Sequence, residues 1–445
     1  MELAGKKALV LGLARTGVQC ARFLVNQGAA KVSVSDLRSE TELKQEIEAL
    51  RGLPIHYFLA GEERSWVEDV DLVVPSPGVP AENPLLQEAD SRGIEILSEI
   101  ELAYRFCRVP VVAITGTNGK STTTALIGEM LKANGTNVFV GGNIGAPWIG
   151  FVEGDWQWGV VEISSFQLEW IKEFRPRVAV LLNLTEDHLD RYPDFAAYCG
   201  AKQRIFENQT TEDFAILNRD DPLVWDLRKG RQAKIISFGF SEVDTGVFAK
   251  STEIIWRDGS REERFPLSHV KIKGVHNIEN MMAAIAVAKT IDLPVQVIQQ
   301  TLEQFPGLEH RLEFVREKDG VSYYNDSKGT NVGAVVKSLA SFSVPIILLA
   351  GGVDKGGDYG VLRDAVRKTV KRLVLFGAAK EMIASALGGL TETVTVDNMQ
   401  AAVRDAHEHA RPCDVVLLSP ACSSFDMFRN YAERGKIFKS LVQAL

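Results

Sequence analysis

No apolar run in this 445-residue chain approaches the ~20 residues that a membrane-spanning helix needs. The start, Met1-Glu-Leu-Ala-Gly-Lys-Lys7, enters a strand at once, so no signal peptide is expected. Cysteine is scarce: Cys20, Cys107, Cys199, Cys413 and Cys422 form an odd, scattered set without a CxxC pair. Such usage argues against a disulfide framework or a cysteine zinc site and suggests reduced thiols in a cytosol. Positive charge is not in excess either. A net charge of -8 speaks against nonspecific nucleic-acid binding, so anionic ligands need local positive pockets. Repeats and low-complexity tracts are missing. The chain is too long for one core, and roughly two to four domains are expected.

What is present centres on Val109-Pro-Val-Val-Ala-Ile-Thr-Gly-Thr-Asn-Gly-Lys-Ser-Thr-Thr-Thr124. Val111 to Ile114 reads as a buried strand, Gly116 to Gly119 as a glycine-rich turn, and the residues from Lys120 as a helix. Strand, glycine loop, Lys-Ser and helix make a phosphate cradle. Free N–H groups at a helix start point at an anion, and the helix dipole favours it. Lys120 supplies a mobile charge, and the Ser121 hydroxyl suits Mg²⁺. The common pattern has a glycine where this chain has Ile114.

Upstream, Lys7 to Leu11 is a strand, followed by Gly12-Leu-Ala-Arg-Thr-Gly17, a helix, and a strand from Lys31 closed by Asp36. This is a Rossmann-like order with an acidic residue about 20 positions on. Ala14 replaces the middle glycine, and its methyl group hinders approach of a pyrophosphate. The loop therefore suits an anionic or nucleotide ligand other than NAD. Val70 to Val74 ends in Pro75-Ser-Pro-Gly-Val-Pro80, either a ligand loop or a surface turn. Downstream, Trp158 to Ile163 is a strand carrying Glu162, and Arg177 to Leu184 another, ending in Asn183-Leu-Thr-Glu-Asp-His-Leu-Asp190. In βαβ order both ends face one crevice, where Glu162 and His188 could hold Mg²⁺. His188 alone reads more often as a surface loop residue. Lys202, on a helix from Phe195 to Phe206, reads by composition as a solvated lysine. Short antiparallel strands are expected between Phe238 and Arg257, and a helix over Val275 to Ile291. Pro306-Gly307 reads as a linker, after which α/β alternation restarts.

The fold expected is α/β in three domains. Residues 1–97 are Rossmann-like, 98–306 a central P-loop mononucleotide-binding domain with a parallel sheet, and 307–445 a C-terminal Rossmann-like domain.

Taken together, Thr115-Gly-Thr-Asn-Gly-Lys-Ser-Thr122, Glu162-Ile-Ser-Ser165, Asn183 through Asp190, and His276-Asn-x-x-Asn280 resemble the Mur ligase family. Its members are ATP-dependent amino-acid ligases of peptidoglycan precursor synthesis. Asn325-Asp-Ser-Lys-Gly-Thr-Asn331 and Ser419-Pro-Ala-Cys-Ser-Ser-Phe-Asp426 are similar to the member that adds D-glutamate. The Asp-Asn-Pro signature expected of the diamino-acid-adding sibling is not found. Gly329 stands where the family usually has alanine, and Arg15 where an apolar residue is common.

The resemblance implies addition of D-glutamate to UDP-N-acetylmuramoyl-L-alanine, through an acyl phosphate and a tetrahedral intermediate. It implies a cytoplasmic bacterial monomer with ATP and two Mg²⁺ ions. ATP would lie at Gly116, Thr117, Asn118, Gly119, Lys120, Ser121, Thr122, Asn277, Arg311 and Asp326. Ser121, Glu162, His188 and Lys202 would hold metal, Lys202 as a CO₂-derived carbamate. Lys120, Glu162, His188 and Lys202 would be catalytic. Arg15, Thr16, Asp36, Arg38, Ser76, Pro77, Gly78 and Asn143 would bind the UDP substrate. Lys328, Thr330, Lys355, Ser424, Phe425 and Tyr431 would bind D-glutamate. Competing readings are another Mur-family or folylpolyglutamate-type ligase, a nicotinamide dehydrogenase using the Gly12 loop, and a nucleotide-dependent switch without chemistry.

Overall fold

The structure, a computed structural model, describes residues 1–189 and 191–445. Asp190, the last residue of the Asn183 motif, lies outside the described residues. Three sheets organise the described chain. The first contains β1 (Lys7–Leu11), β2 (Lys31–Asp36), β3 (Ile55–Leu59), β4 (Leu72–Pro75) and β5 (Glu95–Ile96). All are parallel, in the order β3-β2-β1-β4-β5. The order reverses between β1 and β4, which is where ligands sit in open α/β sheets. The Gly12 and Pro75 loops leave these two strands side by side, and Ser76 Oγ donates to the Gly12 carbonyl at 2.7 Å.

The central sheet holds β6 (Val111–Thr115), β7 (Val138–Gly142), β8 (Trp158–Glu162), β9 (Val178–Leu181), β10 (Phe214–Asn218), β11 (Lys234–Gly239), β12 (Thr245–Lys250), β13 (Glu253–Asp258) and β14 (Arg261–Pro266). Its order is β14-β13-β12-β11-β10-β9-β6-β8-β7. From β7 to β12 it is parallel, and β12-β13-β14 is an antiparallel edge. The sheet is mostly parallel, as expected from sequence, and its antiparallel part lies later than the expected Phe238–Arg257. The reason is visible in burial. β11 and β9 have apolar stretches covered on both faces, as parallel strands do, whereas β14 is four charged residues in a row followed by a single buried Phe265.

The third sheet contains β15 (Glu313–Lys318), β16 (Val321–Asn325), β17 (Ile346–Gly351), β18 (Val370–Phe376), β19 (Glu392–Thr395) and β20 (Val415–Leu418). The order is β15-β16-β20-β17-β18-β19, parallel except for β15 at the edge. Two apolar clusters cover its faces and contain residues of this unit alone. The first and central units instead share one cluster, running from Leu3 through Trp148 to Ala233. A contact such as Phe23 edge-on to Phe106, with ring centroids 5.0 Å apart, joins them.

Candidate active site

The cradle forms where β6 ends. Gly119 (φ 88°) caps the helix Lys120–Ala133 with no side-chain hydrogen bond. A Cβ there would collide with Asn280 Oδ1, so only glycine fits. The loop is shaped from the strand next door. Asn183, just beyond β9, accepts from Asn118 N–H at 2.8 Å and donates to the Asn118 carbonyl at 3.0 Å. Tyr198 donates its hydroxyl to Thr117 Oγ1 at 3.1 Å. With the loop held by these outside groups, the first-turn N–H groups are left for an anion. Lys120 folds over the loop, its Nζ donating to the Gly116 and Thr117 carbonyls at 2.8 Å. Burial lowers its pKa, Glu162 opposes this, and Arg311 adds to it.

β8 lies beside β6, and the register pairs Ile114 with Glu162. Glu162 is therefore buried next to the cradle. Its Oε1 accepts from Asn143 Nδ2 at 2.7 Å. Its Oε2 is buried with no hydrogen-bond partner. A buried carboxylate oxygen left unpaired is costly, and a cation satisfies it. That oxygen is the feature that fits Mg²⁺. Asn143 itself belongs to β8's neighbour β7 through Gly142, so the structure sets it against Glu162 although the sequence reading grouped it with the UDP-substrate residues.

His188 follows β9 in a left-handed conformation (φ 57°). It stands edge-on to Phe166, and its Nε2 is 3.8 Å from Asp187 Oδ2. Lys202, on the helix Phe195–Gln203, is only 2% exposed, against the solvated lysine that composition suggested. Its Nζ lies 4.7 Å above the Tyr198 ring. Among the described residues it has no ion pair. Burial drives its pKa well down, and the nearby Lys120 charge pushes the same way. Among the described residues no three His, Cys, Asp or Glu side chains form a metal cluster. Of the metal donors expected from sequence, Ser121, Glu162, His188 and Lys202, Glu162 offers an unpaired buried oxygen, and Lys202 would suit a cation only as an anion.

The third unit reaches this cleft through polar contacts. Arg311 donates to Ser121 Oγ at 2.7 Å, Asn331 to Asp187 at 3.2 Å, and Lys337 to Glu279 at 3.0 Å. Between the two units a cavity is lined by Asn118, Gly119, Thr122, Asn277, Arg311 and Asp326, all proposed from sequence, and by Lys328. His276, Glu279 and Lys337 also line it. Glu279 and Lys337 carry no signal in the sequence, and His276 stands there only as the first residue of its motif. Burial lowers the His276 pKa to about 4, so it is neutral there. Asp326 accepts from Ser338 and Ser419 at 2.7 Å each, while burial raises its pKa to about 6.

The D-glutamate candidates divide. Lys328 lies in the cavity just described, its Nζ 3.9 Å above the Tyr431 ring. Burial, with Arg311 next, lowers its pKa to about 8. Thr330 and Lys355 line the adjoining pocket with Asp187 and His188. Ser424 is buried, and Phe425 is 73% exposed.

In the first unit both carboxylate oxygens of Asp36 are engaged. Arg38 donates to them from its backbone and guanidinium at 2.9–3.0 Å, and Leu13 N–H at 2.7 Å. Although burial works against it, these bonds lower the Asp36 pKa. Asp36 is thus committed to Arg38, which does not suit a dinucleotide ribose. Arg15 donates to the Gly145 carbonyl of the central unit. Pro77 and Gly78 sit in a turn that Arg191 clamps, donating to Pro77 and Val79 carbonyls at 2.9 Å each. Arg191 carried no sequence signal beyond its place after the Asn183 motif. Thr16 lies on the helix Arg15–Asn26, beside the Gly12 loop.

Comparison with known proteins agrees with this architecture. "Mur ligase MurD-like, N-terminal domain" matches residues 6–98, "Mur ligase middle domain" 114–288, and "Mur ligase, glutamate ligase domain" 310–422. The chain is 53% identical to the UDP-N-acetylmuramoylalanine–D-glutamate ligase of Geobacter metallireducens, over 100% of this chain and 99% of that protein. It is 49% identical to the protein of that name from Trichlorobacter lovleyi, over 100% of both. Among solved structures, a UDP-N-acetylmuramate-alanine ligase from Thermotoga maritima shares the fold at 20% identity and a TM-score of 0.62, covering 99% of each chain. A MurF ligase from the same organism, in complex with ADP, does so at 17% identity and 0.61, covering 100% of each. The chain belongs to the Mur ligase family of ATP-dependent amide-bond-forming enzymes.

Proposed function

We propose that this enzyme adds D-glutamate to UDP-N-acetylmuramoyl-L-alanine at the expense of ATP, in the cytoplasm, for peptidoglycan precursor synthesis. The observation that carries the reading is the convergence of Lys120, Arg311 and Lys328 on one cleft, beside the unpaired Glu162 oxygen. Such a density of positive charge suits a nucleotide triphosphate and a dicarboxylic amino acid held together. Full-length relatives bearing the D-glutamate ligase name support the choice of substrates.

In this reading residues 1–97 hold the UDP end, 98–306 hold ATP, and 307–445 bring the amino acid. The muramoyl substrate's alanine carboxylate attacks the γ-phosphorus, giving an acyl phosphate and ADP. The amine of D-glutamate then adds to the acyl carbon, and the tetrahedral intermediate collapses with loss of phosphate and a proton. Both steps gather negative charge, and fixed positive groups in a water-poor site stabilise it. Lys120 and Arg311 face the phosphates, while Lys328 and Lys355 take the acceptor's carboxylates. Ser121 and Glu162 would hold one Mg²⁺, and His188 with a carbamylated Lys202 a second. Bound there, the ions supply charge neutralisation at the transferring phosphoryl group.

The test is phosphate release with UDP-N-acetylmuramoyl-L-alanine and ATP. Release should depend on D-glutamate and fail with L-glutamate or a diamino acid. Equal rates with L-glutamate, or release that needs no amino acid, would refute the assignment.

A further inference from the structure

The loop carrying Lys355 has little order of its own. From β17 it runs Gly351-Gly-Val-Asp-Lys-Gly-Gly357, and Gly351, Gly352 and Gly356 have φ of 131°, 134° and 77°. Glycine loses more backbone freedom on ordering than any other residue. A lysine in such a segment aims nowhere unless other groups fix it.

Two sets of bonds do so. Val353 and Ser423 exchange backbone hydrogen bonds of 3.0 Å in each direction. Asp354 forms the second set. Its Oδ2 accepts from Gly356 N–H at 3.0 Å, and its Oδ1 accepts from the Tyr359 hydroxyl at 2.6 Å. Tyr359 is 4% exposed, and its oxygen lies 3.1 Å from the fully buried Cys422 Sγ. The phenol has one proton. The short bond to a carboxylate claims it, which leaves the thiol to donate to the phenol oxygen. A buried chain thus runs from Cys422 through Tyr359 to Asp354. Cys422 lies two residues before Ser424, so this chain ties the Lys355 loop to the Ser424 loop.

We propose that Asp354 and Tyr359 are positioning residues, which hold the Lys355 ammonium where a carboxylate of the incoming amino acid binds. The proposal rests on placing Lys355 at the D-glutamate site. Neither residue has a part in the phosphoryl step, so its loss should be felt in amino-acid binding alone.

The experiment measures D-glutamate-dependent phosphate release by wild type, Tyr359→Phe, Asp354→Ala and Asp354→Asn, with melting curves as a fold control. Tyr359→Phe removes one hydrogen bond to a charged group, and KM for D-glutamate should rise about tenfold. The kcat at saturating D-glutamate and the KM values for ATP and the UDP substrate should stay within about twofold. Asp354→Asn keeps an acceptor for Tyr359 and should recover part of what Asp354→Ala loses. Against an active wild type, an unchanged KM for D-glutamate in folded Tyr359→Phe would overturn the positioning role. So would a uniform fall in kcat with D-glutamate affinity intact. A wild type whose phosphate release ignores D-glutamate would instead overturn the underlying site assignment, and the proposal with it.

Discussion

Replacing Lys202 by arginine keeps a positive charge and should still destroy activity. Carbamylation needs a neutral amine. A surface lysine has a pKa near ~10.4, so about one in 10³ is neutral near pH 7.4. Lys202 differs because it is 2% exposed, carries no ion pair among the described residues, and lies near the Lys120 charge. Each unit by which burial lowers its pKa raises the neutral fraction about tenfold. Carbamylation would then turn a disfavoured buried cation into an anion that offsets Lys120 and suits a metal. Arginine blocks this, since its guanidinium does not deprotonate in proteins. Loss of one such charge-stabilising group commonly costs about 10²–10³ in kcat. The assay is phosphate release under matched ATP, Mg²⁺ and bicarbonate, with a melting curve to show that the variant folds. Lys202→Ala should be equally poor but regain part of its activity with added short carboxylic acids, which fill the vacated anion position. If Lys202→Arg turns over like wild type, the side chain serves only as a cation and the carbamate is wrong.

Lys120→Ala should cost about 10²–10³ in kcat with an unchanged fold, because among the described residues the side chain bonds to its own loop alone; near-normal turnover of the folded variant would contradict the cradle assignment. Binding of D-glutamate to the enzyme with ATP analogue and muramoyl substrate, measured by calorimetry, should weaken as pH rises through about 8. Lys328 is charged below that value and neutral above it, so affinity that is flat from pH 7 to 9 would rule out its contact with a carboxylate. Gly329→Ala should raise KM for ATP, since the added Cβ would sit 2.6 Å from Asp326 Oδ2 and 2.8 Å from Ser419 Oγ. Overpacking of this kind typically costs about 1–3 kcal/mol, and unaltered ATP kinetics with unaltered melting would show that the Asp326 network yields freely.

Local features were legible and distant ones were not. The cradle is one contiguous segment, so strand, glycines and helix could be read from Val111 to Thr124 without knowing what packs on them. Glu162 and His188 were placed in one crevice because βαβ order puts successive strand ends together. Lys202 shows the opposite case. Tyr198 lies one turn earlier on the same helix, but the burial of Lys202 and the Lys120 charge near it come from the fold around that helix, so only the family resemblance singled it out. β3, β7 and β10 went unread for related reasons: β3 is half-exposed, β7 ends in two glycines, and β10 is a five-residue run. Asn143 is expected from the resemblance at the UDP-substrate site; its bond to Glu162, set by the pairing of Gly142 with Glu162, could not be read from the sequence. Arg191 was unread because the turn it clamps lies more than a hundred residues earlier and offers it backbone carbonyls.

The contacts across the boundary between central and third units were the least legible feature, and their composition bears on mechanism. First and central units are joined by a shared apolar cluster, whereas the third unit has its own cores. Polar bonds cross the cleft: Arg311 to Ser121, Asn331 to Asp187, Lys337 to Glu279. Water replaces such bonds at small net cost, while separating an apolar interface costs roughly 25 cal/mol per Å² exposed. An enzyme that must admit ATP, a UDP-linked substrate and an amino acid to one enclosed cleft needs a boundary of the first kind. Arg311, which helps to close the cleft, is also the residue proposed to face the phosphates. On that proposal ligand binding and closure share a contact, and the complete site exists only while the third unit is docked.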